Sequence, residues 1–274
     1  MAIAPLLVAP AVSSAQVSQL LRGHSADAIA SDDAWFRLRG ADGYEGWCHR
    51  GYLTAEPAFQ GIQARETGVG DADAGAISAA AGSATLTPVA SAWNSERRMS
   101  LGCVVRARGG EEFPLPLGAL LDVDDTVTLG IAMNSRARAR YFEADADLLV
   151  RRAVELFRGA PYQWGGLTPW GADCSGFVQT IFALHGTQLP RDAWMQGERG
   201  RSIPNELSEL EPGDLLFFSD RDDGRPTHVA LSLGGPSVAH CSLANGGFGI
   251  DALDSDNAVS RRLCDTFRFA RRLF

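Results

Sequence analysis

Asp173-Cys174-Ser175-Gly176-Phe177-Val178-Gln179 constrains the architecture more than any other stretch of the chain. Phe177, Val178, Ile181, Phe182 and Leu184 recur at helical spacing, and Gly186 offers a stop. Asp173 stands where an N-cap belongs, so Cys174 falls in the first turn of a largely apolar helix. Backbone N–H groups and the positive helix end favour thiolate over thiol there. A small buried cysteine is the structural alternative.

A nucleophilic cysteine needs a base, and the base needs a group to orient it. Thr227-His228-Val229-Ala230-Leu231-Ser232-Leu233 reads as a strand, with Gly224 and Pro226 before it and Gly234-Gly235 after it. Ser237-Val238-Ala239-His240-Cys241 reads as the next strand. A hairpin of the two brings His228 and His240 onto one face. His228 is then placed to take the proton of Cys174, and His240 to hold the His228 ring in the correct tautomer.

Tyr162-Gln163-Trp164-Gly165-Gly166, Asp173-Cys174-Ser175-Gly176-Phe177, Leu189-Pro190-Arg191-Asp192, Pro212-Gly213-Asp214-Leu215-Leu216-Phe217-Phe218, His228-Val229-Ala230 and Ala239-His240 follow in this order. The series resembles the NlpC/P60 family of papain-like cysteine peptidases, which cut bacterial cell-wall peptides, and the likeness spans residues 147–274. It implies an α+β catalytic domain, an antiparallel sheet packed on helices, with Cys174, His228 and His240 as the triad. It also implies that the Tyr162 hydroxyl assists the Cys174 N–H at the oxyanion. No metal or organic cofactor is expected.

Composition sets the outer limits. The formal net charge of −8, with no basic stripe, argues against a nucleic-acid partner. Cysteines 48, 103, 174, 241 and 264 are scattered and odd in number, with neither C-x-x-C pairs nor zinc-ligand spacing. A reducing compartment fits them best. Met1 to Gln16 is apolar but lacks a charged n-region and is interrupted by Pro5 and Pro10, so it reads as the first extended segment of a folded domain. No run is long enough to span a membrane. The expected location is the cytoplasm, with export as the lesser possibility; oligomeric state is open.

Residues 1–54 carry short β-like runs, ending in Trp35–Arg39, a turn at Gly40–Gly43 and a Gly-Trp strand, and resemble the bacterial SH3-like barrels that often precede these peptidases. Residues 55–81, rich in Ala and Gly, read as a linker. Residues 82–146 read as a second small barrel, with strands at Ala84–Ala90, Gly102–Arg108, Leu117–Val123 and Thr126–Ile131. Asp145–Phe157 reads as the first helix of the catalytic domain.

In one subgroup of the family the first barrel closes one end of the substrate groove. The resemblance extends to that subgroup. Tyr44 matches the tyrosine that the barrel lends to the pocket, and Asp173, Ser175 and Asp192 would surround a free α-ammonium. Read from the residues alone, Asp173 is equally a helix cap, the alternative for Asp192 is a cap on the segment starting at Ala193, Tyr44 and Trp47 are barrel core, Arg191 makes a structural ion pair and Asp214 belongs to a turn. The implied substrate is a murein-derived stem peptide such as L-Ala-γ-D-Glu-diamino acid, cut after the γ-linked glutamate. An exported endopeptidase acting on intact wall, a non-catalytic wall-binding module and, more distantly, a lipid acyltransferase are the rival readings.

Overall fold

The computed structural model describes residues 1–54 and 96–274; the expected linker at 55–81 and the expected strand at Ala84–Ala90 lie outside them. The amino-terminal unit is one antiparallel sheet of β1 (Ile3–Leu7), β2 (Gln16–Leu21), β3 (Asp27–Asp32), β4 (Trp35–Arg39) and β5 (Glu45–His49), ordered β2-β1-β5-β4-β3. The apolar start of the chain is therefore a strand, a turn at Pro10 and the head of a second strand. Alternation in β5 turns Gly46 and Cys48 inward, against Leu6, Leu38 and Ala4. Trp47 lies on the other side of that strand, half-buried, and Tyr44 precedes it. Neither aromatic is barrel core, because the two-residue period gives the interior to Cys48.

The second unit is a three-stranded antiparallel sheet among the described residues, ordered β7-β6-β8, from β6 (Met99–Arg106), β7 (Glu112–Leu115) and β8 (Thr126–Met133). The expected strand at Leu117–Val123 does not form. Gly118 takes φ +89° and breaks the extended run, and only Leu120 bridges to Met99. Leu117, Leu120 and Leu121 are nonetheless buried as an irregular segment. Residues 135–141, also placed in a barrel from sequence, form α1 (Ser135–Tyr141), capped by Asn134 through a 2.8 Å bond from the Ala137 N–H.

The carboxyl-terminal unit begins with α2 (Ala146–Phe157), capped by Asp145. The short pair β9 (Leu167–Thr168) and β10 (Gly171–Ala172) leads into α3 (Cys174–Leu184), followed by α4 (Ala193–Gln196). A six-stranded antiparallel sheet completes it: β11 (Arg201–Ile203), β12 (Pro212–Phe218), β13 (His228–Gly234), β14 (Ser237–Ser242), β15 (Gly247–Ala252) and β16 (Phe267–Arg272). Helix α5 (Ala258–Thr266) precedes the last strand, and the order is β11-β16-β12-β13-β14-β15. This is the expected α+β layering.

Each central strand divides its side chains between two cores. Leu215, Phe217, Val229, Leu231, Ala239 and Cys241 pack against Leu149, Phe157, Phe177 and Ile181 of α2 and α3. Leu216, Phe218, Ala230 and Val238 pack on the opposite face against Leu263 of α5. Every residue of α3 is buried, as expected for a helix apolar nearly all round. Asp214 is turn and anchor, as read from sequence. It accepts the Glu211 N–H at 2.8 Å and the Arg272 guanidinium at 2.7 and 2.8 Å.

The first unit is bolted to the third by polar contacts. Gln16 Nε2 donates to the Trp164 carbonyl at 2.9 Å, the Leu167 N–H donates to Gln19 Oε1 at 3.1 Å, and Gln179 Nε2 donates to Asp42 Oδ2 at 2.9 Å. Met99, Leu117, Leu120 and Phe142 of the middle unit join the core around α3. Among the described residues, no helix is long and apolar enough to cross a membrane. The tightest joint is at the head of α3, where a Cβ on Gly176 would stand 2.0 Å from the Gly166 carbonyl oxygen. Gly176→Ala should therefore cost about 1–3 kcal/mol of stability, typical of forced overpacking. Thermal melting beside wild type measures it; an unchanged midpoint would show that the turn can yield.

Candidate active site

The helix carrying Cys174 is held by its cap. Asp173 Oδ1 accepts the Gly176 N–H at 2.7 Å, and Asp173 Oδ2 accepts the Gly165 N–H at 2.8 Å. Arg191 grips both oxygens, Nη1 on Oδ1 at 3.0 Å and Nη2 on Oδ2 at 2.6 Å. The Ser175 hydroxyl donates to Asp173 Oδ1 at 3.3 Å and accepts from Arg191 Nη1 at 2.9 Å. Arg191 is thus the structural ion-pair partner expected from sequence. Asp173 is the cap, and its charge is already met by a buried guanidinium.

Asp192 behaves differently. It occupies the N-cap position of α4 but makes no capping hydrogen bond. Its carboxylate instead accepts the Tyr44 hydroxyl at 3.1 Å and Trp194 Nε1 at 3.3 Å. The barrel thus reaches the catalytic domain through Tyr44, at the edge of a cavity of about 290 Å³ bordered by Tyr44, Pro190, Arg191 and Trp194.

The hairpin of β13 and β14 brings the two histidines together, with His228 Nε2 2.8 Å from His240 Nδ1. On the far side, His240 Nε2 lies 2.9 Å from Asp251 Oδ2, which also accepts Asn245 Nδ2 at 2.8 Å. A carboxylate only accepts, so the proton of His240 sits on Nε2 and its Nδ1 is the acceptor. His228 must then carry its proton on Nε2. Its Nδ1 is left as a free lone pair, with no hydrogen-bond partner among the described residues. Asp251 sets the tautomers of both rings.

Cys174 opens α3, which packs against β13 and β14. The N–H groups of Val229 and Ser175 face the Cys174 sulfur. No hydrogen bond joins Cys174 to a histidine among the described residues. Burial, reinforced by Asp173, pushes the thiol up to about 12, against the pull of those N–H groups and Arg191. Burial, with His240 beside it, pushes His228 down to about 3. The thiolate expected from the helix end is therefore outweighed by desolvation, and the free site holds a thiol and a neutral imidazole. Burial also raises the Tyr162 phenol, with Cys174 adding to the rise, so the phenol remains a donor. Its hydroxyl makes no hydrogen bond among the described residues, leaving it available to an oxyanion.

A cavity of about 580 Å³ opens on the other side of the histidines, over Phe218, Val259 and Leu263. Among the described residues no cluster of three or more His, Cys, Asp or Glu side chains could hold a metal ion. Asp251 and Asn245 were not singled out from sequence. The signal available was Gly247–Ala252 as a third strand, whose pairing of Val238 with Asp251 sets the acid diagonally across from His240.

Two outcomes follow from this geometry. Asp251→Asn loses the fixed acceptor, and kcat should fall roughly 10- to 100-fold with little change in KM, read from steady-state kinetics. Alkylation of Cys174 by iodoacetamide, followed by intact mass, should climb with pH through the neutral range without a plateau. A plateau above an acidic inflection would show a preformed ion pair instead.

Residues 159–266 match the NlpC/P60 family and residues 4–54 the bacterial SH3 domain. A gamma-D-glutamyl-L-lysine dipeptidyl-peptidase of Bacillus subtilis is 44% identical over 86 residues, 31% of this chain and 28% of that protein. The murein DD-endopeptidase MepS/murein LD-carboxypeptidase of Escherichia coli K12 is 40% identical over 91 residues, 33% of this chain and 46% of that protein. The chain thus spans less than half the length of either relative. A solved structure of an NlpC/P60 family protein from Bacillus cereus aligns over 99% of this chain and 97% of its own, with a TM-score of 0.69 at 20% identity, and so shares the fold. The chain carries an NlpC/P60 domain behind a bacterial SH3 domain.

Proposed function

We propose that this protein is a cysteine peptidase that hydrolyses the γ-D-glutamyl–diamino acid bond of murein stem peptides bearing a free amino-terminal L-Ala. As Cys174 Sγ attacks the γ-carbonyl carbon, His228 Nδ1 takes the thiol proton. The oxyanion meets the Cys174 N–H, a first-turn amide without an intrahelical acceptor, and the Tyr162 hydroxyl. The His228 imidazolium then gives its proton to the leaving amine, and the C–N bond breaks. Water, deprotonated by His228, attacks the thioester and releases Cys174. Through both steps His240 and Asp251 hold the His228 ring and oppose its positive charge.

The observation that carries the specificity is the Tyr44 hydroxyl seated on Asp192, because it sets the SH3 domain across one end of the site. Arg191 neutralises Asp173, whereas Asp192 makes no ion pair among the described residues and is the carboxylate held beside Tyr44. A carboxylate without a cation suits an ammonium. In this reading Asp192 takes the L-Ala amine, Tyr44 and the Ser175 hydroxyl border it, and Asp173 acts by positioning Arg191 and the helix. Bacillus relatives are named for γ-D-glutamyl-L-lysine bonds, which supports the same bond class. The proposed setting is recycling of released wall peptides in the cytoplasm.

A second reading is an exported endopeptidase acting on intact wall, favoured by the name of the Escherichia coli relative. Mass-spectrometric product analysis separates them. L-Ala-γ-D-Glu-meso-diaminopimelate with a free amine should be cut after the glutamate, the same peptide N-acetylated should resist, and Cys174→Ala should abolish cleavage. Equal cleavage of both peptides would remove the amine pocket, and solubilisation of intact sacculi would favour the wall enzyme.

A further inference from the structure

Between the amine end of the site and the catalytic base lies an arginine that the mechanism does not use. The guanidinium of Arg225 lies flat over the Trp194 ring, its Cζ 3.9 Å from the ring centroid. Trp194 Nε1 donates to the same Asp192 that accepts Tyr44. Arg225 is also three residues ahead of His228, joined to it through Pro226 and Thr227. Its guanidinium therefore lies beside the ammonium subsite, while its backbone leads into the strand that carries the proton acceptor. The Arg225 backbone is fixed, its N–H on Asp223 Oδ1 at 3.0 Å and its carbonyl accepting the Ser219 hydroxyl at 2.7 Å.

Its guanidinium, by contrast, makes no hydrogen bond or ion pair among the described residues. Asp223 feels its charge, but that carboxylate is already gripped by Arg221 at 2.7 and 2.9 Å. Stacking on an aromatic face leaves all five guanidinium donors in the plane, oriented and available for a planar anion. An exposed arginine that is preorganised in this way, beside a substrate path, is suited to a carboxylate.

Taking the γ-glutamyl peptidase reading as its premise, we infer that Arg225 binds the free α-carboxylate of the γ-linked glutamyl residue. In such a residue the α-carboxylate branches from the carbon that bears the alanyl amide, while the scissile carbonyl lies at the far end of the side chain. An anion so placed falls between the ammonium on Asp192 and the carbonyl at Cys174, so it borders the ammonium subsite beside which the Arg225 guanidinium lies. Arg191 cannot serve it: it is buried, and both of its terminal nitrogens are engaged by Asp173 and Ser175. Arg225 is thus a specificity-determining residue that favours glutamyl over α-amidated isoglutaminyl peptides.

The test compares two free-amine peptides, L-Ala-γ-D-Glu-meso-diaminopimelate and its D-isoglutaminyl counterpart, on wild type, Arg225→Gln and Arg225→Lys. Wild type should prefer the free acid by about 10- to 100-fold in kcat/KM. Arg225→Gln should bring the ratio of the two kcat/KM values close to one, and Arg225→Lys should give a ratio in between. Equal cleavage of the two peptides by wild type, or an undiminished preference in Arg225→Gln, overturns the role of Arg225 and leaves the peptidase reading standing. Failure of wild type to cut either peptide overturns that reading and this one with it.

Discussion

Asp173 and Arg191 form the pair on which the site depends. Both are buried, and their contact is bidentate, with the serine hydroxyl and two backbone N–H groups filling the remaining acceptor positions. A buried ion pair repays its desolvation only when its polar atoms find partners; here both carboxylate oxygens and both terminal guanidinium nitrogens do, and Arg191 Nε is the buried donor left without one. Removing one partner would strand a buried charge, at a cost of about 3–5 kcal/mol. The same contact fixes the first turn of α3, the Gly165–Gly166 corner and the loop that carries Asp192. Cys174, the Tyr162–Gly166 segment and Asp192 are therefore positioned from one buried point.

That point also governs how the sulfur is activated. A helix N-terminus contributes a fraction of a charge, whereas full burial with an acid alongside acts on the whole thiolate. Burial wins in the substrate-free site, and the proton waits on Cys174. The histidine chain is built to suit this arrangement. Asp251 directs one proton to each Nε2, so the lone pair at His228 Nδ1 exists before substrate arrives.

The parts of this design that were legible in sequence are those written in local pattern. Cap, apolar helix and stop gave α3 with Asp173 and Gly186 as its bounds, and two short alternating runs gave the His228–His240 hairpin. The parts that were not legible depend on competition or on diagonal contacts. Asp173 read equally as cap and as substrate contact until Arg191, brought in from the loop beyond the helix, took up its charge. Leu117–Val123 has the composition of a strand, and one glycine with positive φ sends it elsewhere. Asp251 belongs to no motif; it matters because strand pairing sets it against a histidine eleven positions away.

The SH3 domain then appears as part of the site rather than an attachment to it. Tyr44 follows Gly43 in the β4–β5 turn, and at Gly43 φ is +78° with open space where a Cβ would stand. The turn is thus shaped by backbone conformation rather than by packing, which leaves the tyrosine to project outward. Asp42, one position before that glycine, takes Gln179 in the middle of the nucleophile helix, and Gln179 also donates to the Leu189 carbonyl at 3.0 Å. One turn of the barrel therefore touches the helix that carries the thiol, the loop that carries Arg191, and Asp192 itself. A shift of the barrel would move Tyr44, Asp192 and Gln179 together, so under the proposed function the docking of the two domains and the selection of a peptide end rest on the same set of contacts.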